Sequence, residues 1–321
     1  MLGTHHIDEL DRKILHALQI DGRAPFQRIA EVVGVSPQTV QRRYGRLRAE
    51  AGLRVTGQIR PEAVGEEEWL LRIRCAPDRT GSLARALARH DETSWVHIAS
   101  GGTEIMGVAR APAETGPTLL RALPNTPRVR EISAHCLLHT YYGGELSIVN
   151  KTGPLDAGQV AALRFGPRDG TGGADLTATD RALTALLARD GRTGYPELAR
   201  AAGCSVSTAQ RRLIELRRHG VVYFDLDHDP RVLGRTKLAM LWLTVGPAAQ
   251  DDAGRALAAH PEVSFAASTT GPTNLYAAVN STGNLALHRY LTGPVAALPG
   301  VTAVETAPIT ETVKRAGAAV R

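Results

Sequence analysis

The sequence predicts an α+β chain in which two winged-helix-like helix-turn-helix domains alternate with two ferredoxin-like βαββαβ domains. Three observations predict it. Residues 7–48 and 176–217 align without a gap at an offset of 169, and fifteen of the 42 paired positions are identical. After each copy, the apolar periodicity reads strand, helix, strand, strand, helix, strand, the split βαβ arrangement. The length of 321 residues exceeds a typical single domain and suits several small ones.

In the first copy, Ile7, Leu10, Ile14, Leu15 and Leu18 form one helical stripe over 7–19. Asp21-Gly22 stops it, with Gly22 read as tolerating a left-handed helix end. A second short helix covers 25–33. Gly34-Val35 turns the chain, Ser36 is placed as an N-cap, and Pro37 takes the first helical position, where its missing N–H costs nothing. The third helix runs to about Glu50, with Val40, Tyr44 and Leu47 inward and Gly52 ending it. A strand-like passage follows at 53–60. The first βαββαβ unit reads 69–75, 81–90, 94–99, 103–110, 115–123 and 128–140. The second reads 237–245, 251–260, 263–270, 273–280, 283–297 and 301–313. Arg85-Ala86-Leu87-Ala88 pairs with Arg255-Ala256-Leu257-Ala258, and Leu123-Pro124 with Leu298-Pro299. Between the halves, Gly153-Pro154, Gly166-Pro167 and Gly170-Thr171-Gly172-Gly173 mark a linker, interrupted by a short helix at about 156–164. The expected domains are 1–60, 61–142, 176–232 and 233–321, with 143–175 as linker.

Composition narrows the class. A net charge of +6 and a pI near 9.5 favour an anionic partner. Cys75, Cys136 and Cys204 are an odd number, far apart and without CxxC, so neither a disulfide framework nor a zinc ribbon is expected. No run of about 18 apolar residues suggests a membrane span, and Met1–His6 lacks a signal-peptide pattern, so a cytoplasmic protein is expected. His5-His6 reads as a frayed end, not a metal site. The eleven histidines show no HExxH, and no G-x-S-x-G or Walker pattern occurs. His97, His135 and His139 lie on predicted strands as structural residues. No cofactor or metal is expected.

The third helices carry the functional signal. A helix that reads DNA needs short polar or basic side chains near its N-terminus for base edges, and Arg or Lys for phosphates. The first copy offers Ser36, Gln38, Thr39, Gln41, Arg42, Arg43 and Arg46; the second offers Ser205, Ser207, Thr208, Gln210, Arg211 and Arg212. Both keep Gln-Arg-Arg, types that pair with adenine and guanine edges. The copies differ at Pro196, which faces Gln27, and at Ala209, which faces Val40. Double-stranded DNA is the expected partner, bound at two half-sites.

Asp11-Arg12, Asp21-Gly22-Arg23, Gly34-Val35-Ser36-Pro37, Val40, Arg42-Arg43 and Arg46-Leu47, followed by a βαββαβ domain, resemble the Lrp/AsnC (feast/famine) family. The second copy matches more loosely at Asp180-Arg181, Asp190-Gly191-Arg192, Gly203-Cys204-Ser205, Arg211-Arg212 and Leu216. The resemblance implies a transcriptional regulator whose RAM-type domains pair their sheets and sense a small molecule, often an amino acid. With both units on one chain, it implies a covalent pseudo-dimer with sheets 69–140 and 237–313 packed together, and association of whole chains beyond it. It places the effector at Gly101, Gly102, Thr103 and Glu104 and at Gly271, Thr273 and Asn274, with Glu104 facing an ammonium group. The family's usual Asp is absent from both turns. Sirohaem decarboxylases resemble the same architecture and form the enzymatic alternative. Their His-Asn-Tyr-x-Arg-like run is not found; Tyr141-Tyr142 and Asn274-Leu275-Tyr276 are faint echoes. A ligand-binding module that has lost DNA binding is the third class.

Overall fold

The computed structural model describes residues 7–122, 129–167 and 175–316. Leu123-Pro124, the Gly170–Gly173 run and His5-His6 lie outside them. The chain divides into two compact units that do not follow sequence order: residues up to Val64 join Gly144–Leu233, and Gly65–Gly143 joins the segment from Gly234 onward.

The first unit holds both helix-turn-helix repeats: α1 (Glu9–Ile20), α2 (Phe26–Val33) and α3 (Pro37–Ala51), then α8 (Ala178–Arg189), α9 (Tyr195–Ala202) and α10 (Val206–Arg218). Asp8 and Asp11 form a capping box at α1, and Thr177 and Asp180 repeat it at α8. Ser36 caps α3 and Ser205 caps α10. Of the stripe expected in the first copy, Ile7, Ile14, Leu15 and Leu18 are buried and Leu10 is half-buried, and Leu183 and Leu187 are buried in the second copy. Strands β1 (Arg54–Ile59) and β6 (Val222–Asp227) pair antiparallel, so one two-stranded ribbon serves both repeats.

Two expectations for this unit are corrected. Gly34 and Gly52 do adopt left-handed φ at helix ends, but Gly22 does not. Its reason is close approach: a Cβ there would lie 2.6 Å from Val55 Cγ1 and 2.9 Å from Phe224 Cβ. The segment expected as linker contributes to the core of this unit. It forms α6 (Ile148–Thr152) and α7 (Ala157–Leu163), and Ile148, Val149, Leu155 and Leu163 are buried. Arg28 Nε donates to the Ala162 carbonyl at 2.7 Å and Gln159 Nε2 to that of Val32 at 2.9 Å, tying α7 to α2. The Gly-Pro punctuation masked an apolar set too short to show a period.

The second unit is a closed eight-stranded barrel. Its strands are β2 (Glu66–Cys75), β3 (Thr93–Ala99), β4 (Glu104–Pro112) and β5 (Val129–Tyr142), then β7 (Lys237–Val245), β8 (Val263–Thr269), β9 (Leu275–Ser281) and β10 (Val301–Thr312). The order is β10-β3-β4-β2-β5-β8-β9-β7, closing from β7 to β10. Each repeat thus gives the four-stranded sheet its βαββαβ order demands, and β5–β8 and β10–β3 join the two sheets antiparallel. Helices α4 (Pro77–Ala88), α5 (Leu119–Ala122), α11 (Gln250–Ala259) and α12 (Asn284–Tyr290) belong to this unit. Strand alternation assigns the two faces. Leu71 and Ile73 cluster with α4 residues, and Leu241 and Leu243 with those of α11 and α12, whereas Leu70, Met106, Met240, Trp242 and Tyr276 form a separate inner cluster. The paired sheets of the pseudo-dimer are therefore found within one chain. Among the described residues, no helix is long and apolar enough to cross a membrane.

Candidate nucleic-acid interface and sensor turns

On α3, Gln38, Gln41 and Arg42 are exposed; on α10, Ser207, Gln210 and Arg211 are exposed. Helical spacing of three and four puts each trio on one outward face. Arg211 is 72% exposed and reaches Glu215 only at 4.0 Å. Ser36 and Ser205 are engaged in capping: each hydroxyl accepts the N–H of Thr39 or Thr208, at 3.2 and 3.1 Å.

The remaining arginines point elsewhere. Arg43 pairs with Asp8 and, at 3.2 Å, with Asp11; Arg46 also pairs with Asp11. In the second copy Arg212 forms a fork to Asp180, its Nε at 2.9 Å from one oxygen and its Nη2 at 2.8 Å from the other. Asp11 and Asp180 are fully buried. Burial opposes ionisation of Asp180, but the Arg212 and Thr177 hydrogen bonds outweigh it and hold the carboxyl below its ordinary value. The Gln-Arg-Arg run thus divides in the same way twice. Its first arginine faces outward, and its second anchors the reader helix to the first helix of its own repeat. Arg43, Arg46 and Arg212 are committed to these carboxylates, a role the sequence reading did not assign. The signal was present: Asp11 and Asp180 are retained at the same offset as the arginines.

The Asp-Gly-Arg turns do more than end helices. Arg23 Nη1 donates to the carbonyls of Gly191 and Thr193 at 2.6 and 3.0 Å, and Arg192 donates to those of Gly22 and Ala24 at 2.7 and 3.0 Å. Arg217 meets Asp21 at 2.7 Å, and its counterpart Arg48 meets Asp190 at 3.1 Å. Gly191, like Gly22, packs on Val55 and Phe224. These reciprocal contacts describe a pseudo-two-fold that fixes α3 and α10 relative to each other.

At the expected sensor turns the Thr103, Glu104 and Asn274 side chains are already occupied. Gly101 and Gly102 have left-handed φ, as does Gly271, and Thr103 Oγ1 donates to the Ser100 carbonyl at 2.9 Å. Glu104 is buried and bound by Arg72 at 2.9 Å and Arg74 at 3.0 Å. Arg72 also holds Glu305 at 2.6 Å and stacks on Trp242. Arg72 therefore ties the two halves of the barrel together, and Glu104, held within the first half, does not present a free carboxylate to an ammonium group, which corrects that expectation. Asn274 is likewise spent: its Oδ1 accepts the Val245 N–H and its Nδ2 donates to the Val245 carbonyl, both at 2.9 Å. Thr273 offers its carbonyl to Thr269 Oγ1 at 3.0 Å. His97 meets Thr312 Oγ1 at 3.1 Å and His135 lies 2.9 Å from the Thr270 carbonyl, while His139 stacks edge-on with Tyr141. Among the described residues no cluster of potential metal ligands occurs.

Comparison with known proteins finds the same domains. The AsnC-type helix-turn-helix domain matches twice, at residues 7–48 and 176–217. The Lrp/AsnC ligand binding domain matches at 238–319. An uncharacterised HTH-type transcriptional regulator of Pyrococcus horikoshii is 30% identical over 141 residues, which are 44% of this chain and 89% of the relative. The HTH-type transcriptional regulator LrpA1 of Halobacterium salinarum is 28% identical over 43% of this chain and 97% of its own. The chain belongs to the Lrp/AsnC family of helix-turn-helix transcriptional regulators, in a tandem form. The crystal structure of the siroheme decarboxylase NirDL matches 97% of this chain and 94% of that one, with a TM-score of 0.66 and 14% identity. At that identity the likeness describes a shared duplicated fold.

Proposed function

We propose that this chain binds duplex DNA sequence-specifically through α3 and α10, and that Gln38, Gln41, Arg42, Ser207, Gln210 and Arg211 face the groove. The observation that carries the reading is the twice-repeated split of Gln-Arg-Arg. An anchored second arginine fixes the helix while the first stays outward, as a reader needs. Because the clasps hold both helices in one unit, the chain meets DNA as a preformed pair. The second contact is then intramolecular. Copy differences on the outward face, Gln38 against Ser207 among them, fit an operator with unequal halves. Selection from a random duplex pool tests this. Enrichment of two related half-sites, centred about one helical turn of 10–10.5 bp apart or a multiple of it, is expected. Failure to enrich any motif overturns it.

We also take the barrel unit as the sensing half, an assignment supported by the ligand-binding-domain match at 238–319. With Glu104 and Asn274 occupied, an effector at the two turns would be held by backbone groups around Gly101, Gly102 and Gly271. The competing reading is a tetrapyrrole-binding enzyme, supported by the whole-chain fold likeness. Against it stands the missing His-Asn-Tyr-x-Arg-like run. Titration of the purified protein with an iron porphyrin is expected to leave the porphyrin absorbance unchanged; saturable binding would favour the enzyme.

A further inference from the structure

A cavity of about 340 Å³ lies wholly inside the first unit, and none of the outward reader residues lines it. Its size is at the small end for ligand pockets, about 300–1,000 Å³. Three walls build it. The end of α1 and the following turn supply Gln19, Ile20, Asp21 and Gly22. The end of α10 and β6 supply Arg217, Val222, Tyr223 and Phe224. The segment between the repeats supplies Leu146, Asn150, Val160, Arg164 and Phe165.

The third wall breaks the pseudo-symmetry. The Asp21–Arg217 pair has its counterpart in Asp190–Arg48, but residues 144–167 occur once and pack against α1 and α2 through α6 and α7. This segment therefore roofs one of the two Asp–Arg ties and has no repeat to cover the other. The roof is tied down: Gln19 Nε2 donates to the Glu145 carbonyl at 3.0 Å, Ser147 Oγ donates to Gln19 Oε1 at 2.8 Å, and the Arg217 guanidinium stacks 3.6 Å from the Phe165 ring centre.

We infer that this cavity binds a small carboxylic acid with an aromatic or aliphatic body. Its charged lining comprises three arginines, Arg60, Arg164 and Arg217, and two acids, Asp21 and Glu145. Asp21 is committed to Arg217 at 2.7 Å, and Glu145 lies 3.9 Å from Arg60. The balance leaves one positive charge, and Arg164, which is exposed, is placed to meet a carboxylate. Phe165, Tyr223, Phe224, Ile20 and Val222 supply the apolar walls for the body. A bound acid would touch both ends of the Asp21–Arg217 tie that joins the repeats, and so would bear on the spacing of the reader helices. That consequence rests on the DNA-binding reading; the binding itself does not.

The test uses the full chain without DNA. Phenylacetate, indole-3-acetate and 4-methylvalerate are titrated by calorimetry and by saturation-transfer NMR, with phenylacetamide as the neutral control. At least one acid is expected to bind below about 10 mM, and phenylacetamide at least about tenfold more weakly than phenylacetate. Arg164→Gln and Leu146→Trp, whose parent side chain is 43% exposed, are each expected to lose about tenfold or more, while Arg211→Ala binds as the parent does. Melting curves confirm folding, and Arg164→Gln carries the test if Leu146→Trp does not fold. Binding by none of the acids, equal binding of acid and amide, or unchanged affinity in a folded pocket variant overturns the inference.

Discussion

At positions 43 and 212 an arginine on a recognition helix turns inward to a carboxylate that is completely buried. Removing Arg212 takes the paired guanidinium from buried Asp180, which costs far more than losing a surface pair, whereas Asp11 keeps Arg46 when Arg43 is removed. Arg212→Ala is expected to lower stability by about 2–3 kcal/mol, its partial exposure reducing the full buried-pair penalty. Arg42→Ala should stay within about 0.5 kcal/mol. Urea denaturation of the two variants checks this, and equal losses would contradict the division of roles. Two other residues contribute to the response to pH. Burial, with Arg315 nearby, pushes the His97 imidazole down to about 4. Its folded value lies below its unfolded one, so its stability contribution is complete above about pH 6.5 and declines as pH falls towards 4, by about 3 kcal/mol in all. Burial pushes the Asp225 carboxyl up to about 6. That contribution is complete below the unfolded value near 4 and is lost as pH rises through 6. Between about pH 4 and 6 the two trends oppose and nearly cancel, so together they should change the melting temperature little over that range. His97→Gln should leave a stability that falls as pH rises from about 4 to 6, and Asp225→Asn one that rises over that range and exceeds the parent's at pH 8.

Elements were the level most open to sequence reading. Most helices and strands of both repeats fall where apolar periodicity and capping residues put them, because those signals act within a few residues of chain; β6 was not read from the sequence, and the helix expected over 115–123 is found as Leu119–Ala122. Gly34 was legible for the same reason: its left-handed φ is set locally. Gly22 and Gly191 were not, since what excludes a side chain there is Val55 and Phe224, the latter some 200 residues from Gly22 in sequence. Gly22→Ala and Gly191→Ala are each expected to cost about 2 kcal/mol or more by overpacking. Gly45→Ala, in the middle of α3 with open space around it, should gain about 0.5–1 kcal/mol. The candidate interface was legible in the same partial way. Residue type and helical phase marked the outward Gln and Arg positions, but the inward turn of Arg43 and Arg212 depends on a helix about thirty residues earlier. Within the expected linker, α7 falls on the short helix expected at about 156–164, whereas α6 is too short to show a period.

At the scale of the molecule, duplication explains the arrangement. Each βαββαβ sheet ends in two open edges, and unpaired edges invite aggregation. Here β5–β8 and β10–β3 consume them, closing a barrel from two halves of one chain. The shared ribbon β1–β6 and the reciprocal arginine clasps do the same for the readers. Fragments 1–167 and 175–321 should therefore co-purify as a heterodimer when expressed together and aggregate when expressed alone; two stably folded, separate monomers would contradict this. The central claim is that the paired readers bind DNA through their outward residues. Fluorescence anisotropy on the duplex enriched by selection, across a salt series, tests it most directly with the parent chain and an Arg42→Ala/Arg211→Ala variant. The parent is expected to bind tightly, to weaken steeply with salt and to withstand excess unrelated duplex. The variant is expected to lose about 10- to 100-fold, with a shallower salt slope and an unchanged melting temperature. Equal affinity of parent and variant, or binding that every sequence competes equally, would contradict the account.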